Sequence, residues 1–358
     1  MFQIKKKIHK FLQEVQSSSD QKMTIEFCWI YVSLAICSIF FLILWLLQVK
    51  APTKFTPKNI VIIGGSSGLG LELAKIYSKK YPNANLILLS RKIAKLQEAK
   101  NQLSTPKNCQ IISLDICQNI QNNRSHEKIV EELKEKIKVT PDILVCSAGA
   151  AHSGAFEKTP VGKFQQQMDL HYFSCVLPTH AFIEDMKKQG HGRICFVSSV
   201  GGQLGVWGFS AYSSSKFAIV GLAQCLFHEL RPYNISVTIC YPPDMDTPGF
   251  QEEMKTKPWE CQKISETGGL LQAKDVAKTL FTDIENGNFY SVHGMDAWLS
   301  TVGSVGWSPN TGVFRLFYQL FLQGLVRFIF SCYLRYFDYI SKRGKEMREA
   351  GTYQKKNS

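Results

Sequence analysis

The chain has 358 residues, 45% of them hydrophobic and 20% charged, which suits a globular protein with a full core and argues against disorder. Its formal charge of +13 is spread along the chain with lysine clusters at both ends. No nucleic-acid module accompanies it, so the excess points to solubility and to attraction by an anionic membrane surface.

The cysteines and the N-terminus set the compartment. Eleven cysteines are scattered without a Cys-x-x-Cys pair or a Cys/His metal spacing, a pattern of a reducing compartment with neither a disulfide framework nor a metal centre. A basic segment, 1–26, precedes 21 uncharged residues from Phe27 to Leu47. As a helix these would extend about 31 Å, enough for a bilayer's hydrocarbon core. Trp29, Tyr31 and Trp45 lie near its ends, where an aromatic belt is expected. A transmembrane anchor over 27–49 is therefore predicted, because the apolar part of a cleaved signal peptide is shorter. Lys50, Lys54 and Lys58 balance the N-terminal lysines and leave the orientation open.

After a short linker, Asn59 to Ile63 reads as a strand. It runs into Gly64-Gly65-Ser66-Ser67-Gly68-Leu69-Gly70, followed by a helical pattern from Leu71 to Tyr81. Strand, glycine-rich turn and helix make a phosphate site, since the glycines let the backbone approach and the helix N-terminus faces the anion. Strands at Asn85–Ser90, Cys109–Leu114, Asp142–Cys146, Arg193–Ser198 and Ile235–Tyr241 alternate with helices at Lys92–Leu103, Glu127–Ile137 and Val161–Gln189. This alternation predicts an α/β fold with a doubly wound parallel sheet. Ligands bind such sheets at the carboxyl ends of the strands, where Arg91, Asp115, Gly149, Ser199 and Pro242 fall. Arg91, with Ser90 and Lys92 beside it, stands where NAD-binding proteins carry an acidic residue, and suits the 2′-phosphate of NADPH.

Tyr212 and Lys216 are four apart on the next predicted helix and share a face. A neighbouring ammonium would lower the phenol from its usual pKa of about 10, fitting it to exchange a proton with a ketone or alcohol oxygen. Ser199, at the end of a predicted strand, offers a hydroxyl to the same oxygen.

Gly64-xxx-Gly68-x-Gly70, Ser199 and Tyr212-xxx-Lys216 together resemble the short-chain dehydrogenases/reductases, over roughly Lys58 to Asn288. Within that family, Tyr241 to Phe250, Lys257-Pro258, Ile264 to Thr267 and Gly202 to Phe209 are similar to the branch acting on long-chain sphingoid ketones. The resemblance implies NADPH-dependent reduction of 3-ketodihydrosphingosine to dihydrosphingosine at the cytosolic face of the endoplasmic reticulum. It implies that Tyr212 protonates the ketone and borders the cofactor, Lys216 tunes it and holds the nicotinamide ribose, and Ser199, rather than Ser198, binds the substrate oxygen. It implies that Asp115 contacts the adenine, and that the backbone after Pro242, with Thr247, borders the nicotinamide. The chain departs from the family at Ile63, at Cys146-Ser147-Ala148-Gly149, and at His171, which replaces the asparagine of the proton relay. His171 either carries protons in its place or is a half-buried structural residue. Both readings stay open, as do a steroid, retinoid or 3-ketoacyl substrate and a non-catalytic NADP-binding scaffold.

The C-terminal region is expected to be membrane-associated over 289–341. Val313 to Phe337 is apolar but interrupted by Arg315, Arg327 and Arg335, which with Gln319, Gln323 and Ser331 form a drifting polar stripe on a helix. Arginines are costly at a bilayer's centre, so the expectation is a helix lying in the interface in contact with membrane lipid. A helical hairpin, or a dimer contact that makes a homo-oligomer, is the alternative that would hide the stripe. Residues 342–358 read as a basic, mobile tail.

Overall fold

The computed structural model describes residues 6, 7, 9, 10, 31–42, 53–117, 125–304, 309 and 313–353, with the backbone alone for 313–315. Much of the expected anchor (27–30 and 43–49), residues 118–124 of the loop expected after β3, and 354–358 of the tail lie outside the described residues, as does the side chain of Arg315. The chain divides into two compact units, Met1–Val49 with Gly312–Phe317, and Lys50–Thr311 with Tyr318–Ser358. In the first unit, α1 (Tyr31–Leu42) is an apolar helix with Leu34, Ile36, Ile39 and Phe41 exposed. The Phe41 ring stacks on that of Phe317.

The second unit carries the sheet. Its first part runs β1 (Asn59–Ile63), α2 (Gly68–Lys80), β2 (Asn85–Ser90), α3 (Ile93–Asn101) and β3 (Cys109–Ser113). Then come α4 (His126–Ile137), β4 (Ile143–Cys146), α5 (Val161–Met168), α6 (Ser174–Gln189), β5 (Gly192–Val197), α7 (Ser210–Leu230) and β6 (Ile235–Tyr241). The chain closes with β7 (Asp244–Asp246), α8 (Pro248–Met254), α9 (Trp259–Ser265), β8 (Leu270–Gln272), α10 (Ala273–Asn286), β9 (Tyr290–Val292), α11 (Met295–Gly303) and α12 (Val313–Glu349).

Seven strands pair in the order β3-β2-β1-β4-β5-β6-β9, and every pairing is parallel. Parallel strands covered by helices on both faces read as continuous apolar runs, and β4, β5 and β6 are buried along their whole length. The order reverses between β1 and β4, which opens a crevice at the carboxyl ends of these strands. On the opposite edge, Asp142 accepts hydrogen bonds from the backbone of Lys58 and Asn59 at 2.6 and 2.8 Å and so ties the entry to β1 to that of β4.

Three features differ from the sequence reading. First, α2 begins at Gly68, inside the glycine motif. Second, β9 and α11 lie just beyond Asn288, and β7 pairs with β8 in a separate small sheet; strands of three residues carry too little periodicity to be read. Third, α5 and α6 are joined by a π-helical turn, Asp169–Phe173. Such a turn rotates the side chains that follow it and often marks a functional position.

The C-terminal segment also differs. α12 stays helical through Glu349, where a mobile tail was expected, and its end is docked. Glu260, fully buried on α9, pairs with Arg348 and accepts from the Tyr353 hydroxyl at 2.8 Å. Tyr353 in turn accepts from the Trp259 backbone amide at 3.1 Å. The Arg348 side chain is 35% exposed, so its removal leaves the buried Glu260 carboxylate with Tyr353 and whatever water reaches it. Arg348→Ala is therefore expected to lower stability by about 1–2 kcal/mol, read as a fall in the melting temperature of the purified protein, with Glu260→Gln in the same background restoring part of the loss.

Within the second unit, Gln319, Val326 and Ile340 of α12 are buried. Of the expected polar stripe, Gln323, Arg327, Ser331 and Arg335 are exposed while Gln319 is not. Phe321, Leu325, Phe328, Tyr336 and Tyr339 are exposed as well, at gaps of four, three, eight and three that keep them on one helical stripe.

Candidate active site

Two cavities open at the carboxyl ends of the strands. One, of about 320 Å³, is built by the turn between β1 and α2. Gly64 adopts φ +83°, and a Cβ there would lie 2.6 Å from the Ala148 backbone nitrogen. Gly68 adopts φ +53° and meets only the Thr247 side chain. These positions admit no side chain without strain, so the backbone is bared to whatever enters. Gly70 lines neither this cavity nor the second one described below. A Cβ on it would clash with the Gly64 carbonyl and come 2.6 Å from Ser147 Oγ, so it serves the close packing of helix on strand.

Ser66, Ser67, Arg91, Lys92, Asp115, Gly149 and Thr247 line this cavity with Gly64 and Gly68. The Ser66 hydroxyl donates to Ser90 Oγ at 2.8 Å. Arg91 and Lys92 are exposed, and the Arg91 carbonyl is fixed by Ser113 Oγ at 2.9 Å. Lys95 joins them. It was missed from sequence, although it lies on the first turn of α3, just after Arg91 and Lys92. Asp115 Oδ1 accepts from the Cys117 amide at 3.1 Å. Pro242, named from sequence, lines neither cavity; it is buried, and its carbonyl accepts from the Val200 amide at 3.2 Å. Thr247, also named from sequence, borders the cavity together with Met245 of β7.

The second cavity, of about 220 Å³, has Tyr212 and Ser199 on one wall and Phe330, Leu334 and Phe337 of α12 on another. Ser199 Oγ accepts from the Gly201 amide at 3.1 Å. Ser198, by contrast, turns inward and donates to the Lys216 carbonyl at 3.1 Å. Burial pushes the Tyr212 phenol well above its ordinary value, and the charges of Glu253 and Asp244 add to this against the hydrogen bond from Ser199. The expected lowering by Lys216 does not prevail. Its Nζ donates to the Val197 carbonyl at 2.9 Å and lies 5.7 Å from the Tyr212 ring centre. Lys216 is itself buried, which brings its ammonium down to about 8. Tyr212 is thus a neutral phenol at working pH, able to give a proton rather than take one.

His171 sits on the π turn, 1% exposed. Its Nε2 accepts from the Ala150 amide at 3.3 Å, which leaves Nδ1 to donate to Ser215 Oγ at 2.8 Å. Ser215 donates onward to the Tyr212 carbonyl at 2.6 Å. Burial, then Lys216, hold the imidazole well below its usual range, so it remains neutral near pH 7. The half-buried residue expected from sequence is fully buried, and both nitrogens are engaged in joining the Gly149–Ala150 turn to α7.

The glycine cradle fits a nucleotide, and the neighbouring phenol fits an oxygen acid at its end. Comparisons agree with that geometry. The family described as short chain dehydrogenase matches residues 58–258. The chain is 41% identical over 300 residues to the 3-dehydrosphinganine reductase of Danio rerio, covering 83% of this chain and 90% of that one. It is 40% identical over 297 residues to the 3-ketodihydrosphingosine reductase of Mus musculus, covering 82% and 88%. Among solved structures, a short-chain dehydrogenase from Streptomyces avermitilis superposes with a TM-score of 0.58 at 25% identity, covering 71% of this chain and 93% of that one.

Proposed function

The chain belongs to the short-chain dehydrogenase family, and from that membership we propose that it reduces the ketone of 3-ketodihydrosphingosine to dihydrosphingosine with NADPH. The observation that carries the proposal is the adjacency of a glycine-lined nucleotide cradle and an apolar cavity ending at a protonated Tyr212. An apolar wall suits an alkyl chain, whose buried methylenes contribute about 0.8 kcal/mol each.

Gly64, Ser66, Ser67 and Gly68 would hold the dinucleotide's phosphates, Arg91 and Lys92 its 2′-phosphate, Asp115 its adenine end, and Gly149 and Thr247 its nicotinamide end. The bound nicotinamide supplies the hydride. Ser199 holds the substrate's ketone oxygen, and Tyr212 gives it a proton as charge develops there. Lys216 places a positive charge behind the phenol and takes the nicotinamide ribose. His171 orders the turn at Gly149–Ala150 and, through Ser215, the first turn of the Tyr212 helix.

A pH profile follows from this arrangement. Lys216 keeps its charge below about 8, while Tyr212 keeps its proton through that range. The ammonium that stabilises the departing phenolate is lost as pH rises. Steady-state kcat/KM for reduction is therefore expected to fall through about pH 8 on the alkaline side, with no limb near pH 6.5 from His171.

The site of action in this reading is the endoplasmic reticulum membrane, with the reductase unit in the cytosol. Two features support it: Leu316–Glu349 is long and apolar enough to cross a membrane, and the exposed Phe321–Leu325–Phe328 face would rest in lipid if the helix lies in the interface. Free thiols at all described cysteines suit a reducing compartment. The substrate is tested by NADPH oxidation in detergent with 3-ketodihydrosphingosine, a steroid ketone and a 3-ketoacyl thioester. Selective consumption with the sphingoid ketone supports the reading; turnover of another ketone alone rejects it.

A further inference from the structure

The cavity that receives an alkyl chain along α12 is acidic beside Tyr212. Lys257, its side chain 0% exposed, lies 3.0 Å from Asp244 Oδ2 and 2.9 Å from Glu253 Oε1, with the Phe209 and Phe250 ring centres 5.2 and 5.5 Å from its Nζ. Two carboxylates around one ammonium leave a surplus negative charge. Both carboxylates border the cavity, and both act on the Tyr212 phenol, Glu253 the more strongly. Uncompensated charge at so little exposure is costly, and burial accordingly pushes the Glu253 carboxyl up despite Lys257. A third carboxylate, Asp296, stands on the same wall. The other cation at the cavity, Arg327, lies on the exposed side of α12.

A separate observation shows that this cavity is shaped for polar groups as well as hydrocarbon. Ser300 is 3% exposed and lines the cavity, yet its hydroxyl has no hydrogen-bond partner among the described residues. A buried hydroxyl left unpaired is available to a polar group that enters the cavity.

We propose that Glu253, backed by Asp244, binds the protonated amine on the carbon next to the reacting ketone, and so makes the enzyme selective for 2-amino ketones. This rests on the sphingoid-ketone reading above. An ammonium one bond from the ketone carbon falls beside the carboxylates when the ketone oxygen is at Tyr212 and Ser199. It neutralises the surplus charge and opposes the upward push of Glu253 and Asp244 on the phenol. Selectivity then comes from the surplus negative charge of the cluster in the free enzyme, which a substrate without the amine leaves uncompensated.

The test compares kcat/KM of the full-length, detergent-solubilised enzyme with NADPH for 3-ketodihydrosphingosine and for the same 1-hydroxy-3-ketone lacking the amine. The wild type is expected to prefer the amine by about 10- to 100-fold, and Glu253→Gln to bring that ratio close to one. Glu253→Asp, which keeps the charge, is expected to restore much of it. Glu253→Gln leaves Lys257 paired one-to-one with Asp244, so the buried cluster becomes neutral. If that variant does not fold, the wild-type ratio still decides. Equal rates on the two ketones, or the same ratio in wild type and Glu253→Gln, overturn the inference while leaving the reductase reading intact. Turnover of neither ketone beside turnover of a steroid ketone rejects the reading, and the inference with it.

Discussion

Tyr212→Phe is expected to lower kcat for ketone reduction by roughly 10²–10⁴-fold, the range contributed by a positioned general acid. The phenol is buried and neutral, and it shares the cavity wall with Ser199. Removing its hydroxyl deletes the proton donor without emptying the space, since the ring remains packed 5.1 Å from Phe209 and 5.3 Å from His171. Cofactor affinity should change little, because Tyr212 lines the substrate cavity and not the glycine cradle. Single-turnover kinetics beside NADPH fluorescence titration separate the two effects. Parallel loss of binding and rate would show a collapsed site instead of a missing acid.

Arg91→Ala should weaken NADPH by about 10- to 100-fold and leave NADH nearly unchanged. A charge-assisted hydrogen bond to phosphate is worth roughly 1.5–3 kcal/mol, and each 1.36 kcal/mol is a factor of ten. Arg91 follows β2 at the cradle's edge, with its backbone held by Ser113. Lys92 and Lys95 stay on the same wall, so some attraction to the 2′-phosphate survives. Dissociation constants for both cofactors, measured at two salt concentrations, check this. Equal weakening of NADPH and NADH would move the 2′-phosphate elsewhere.

The sheet was legible because its inner strands are buried on both faces and therefore spell themselves as apolar runs. Asn59–Ile63 and Asn85–Ser90 were read with their bounds, and the glycine turn between strand and helix could be located before any contact was known. The Tyr212–Lys216 spacing placed both on one helical face, but spacing carries no depth. Burial decides the protonation of both residues, and it holds Tyr212 up where proximity to a lysine had suggested the reverse. Pro242 shows a similar limit: position after a strand suggested the cofactor, whereas its carbonyl is spent on Val200. Glu253 and Lys257 are four residues apart, but Asp244 and Ser300 reach the same cavity from other segments, so no periodicity announced their meeting. His171 stood out as a departure from the family, but only the contacts to Ala150 and Ser215 show what it holds.

The most direct test of two cavities meeting at one acid is transfer of label. The full-length enzyme would be incubated with 3-ketodihydrosphingosine and NADPH deuterated at the transferring position, with Tyr212→Phe alongside, and the sphingoid base analysed by mass spectrometry. One deuterium at the new carbinol carbon in the wild type, with little or no product from the variant, is the predicted result. Unlabelled product, or equal labelled product from both proteins, would contradict hydride reduction completed by a proton from Tyr212.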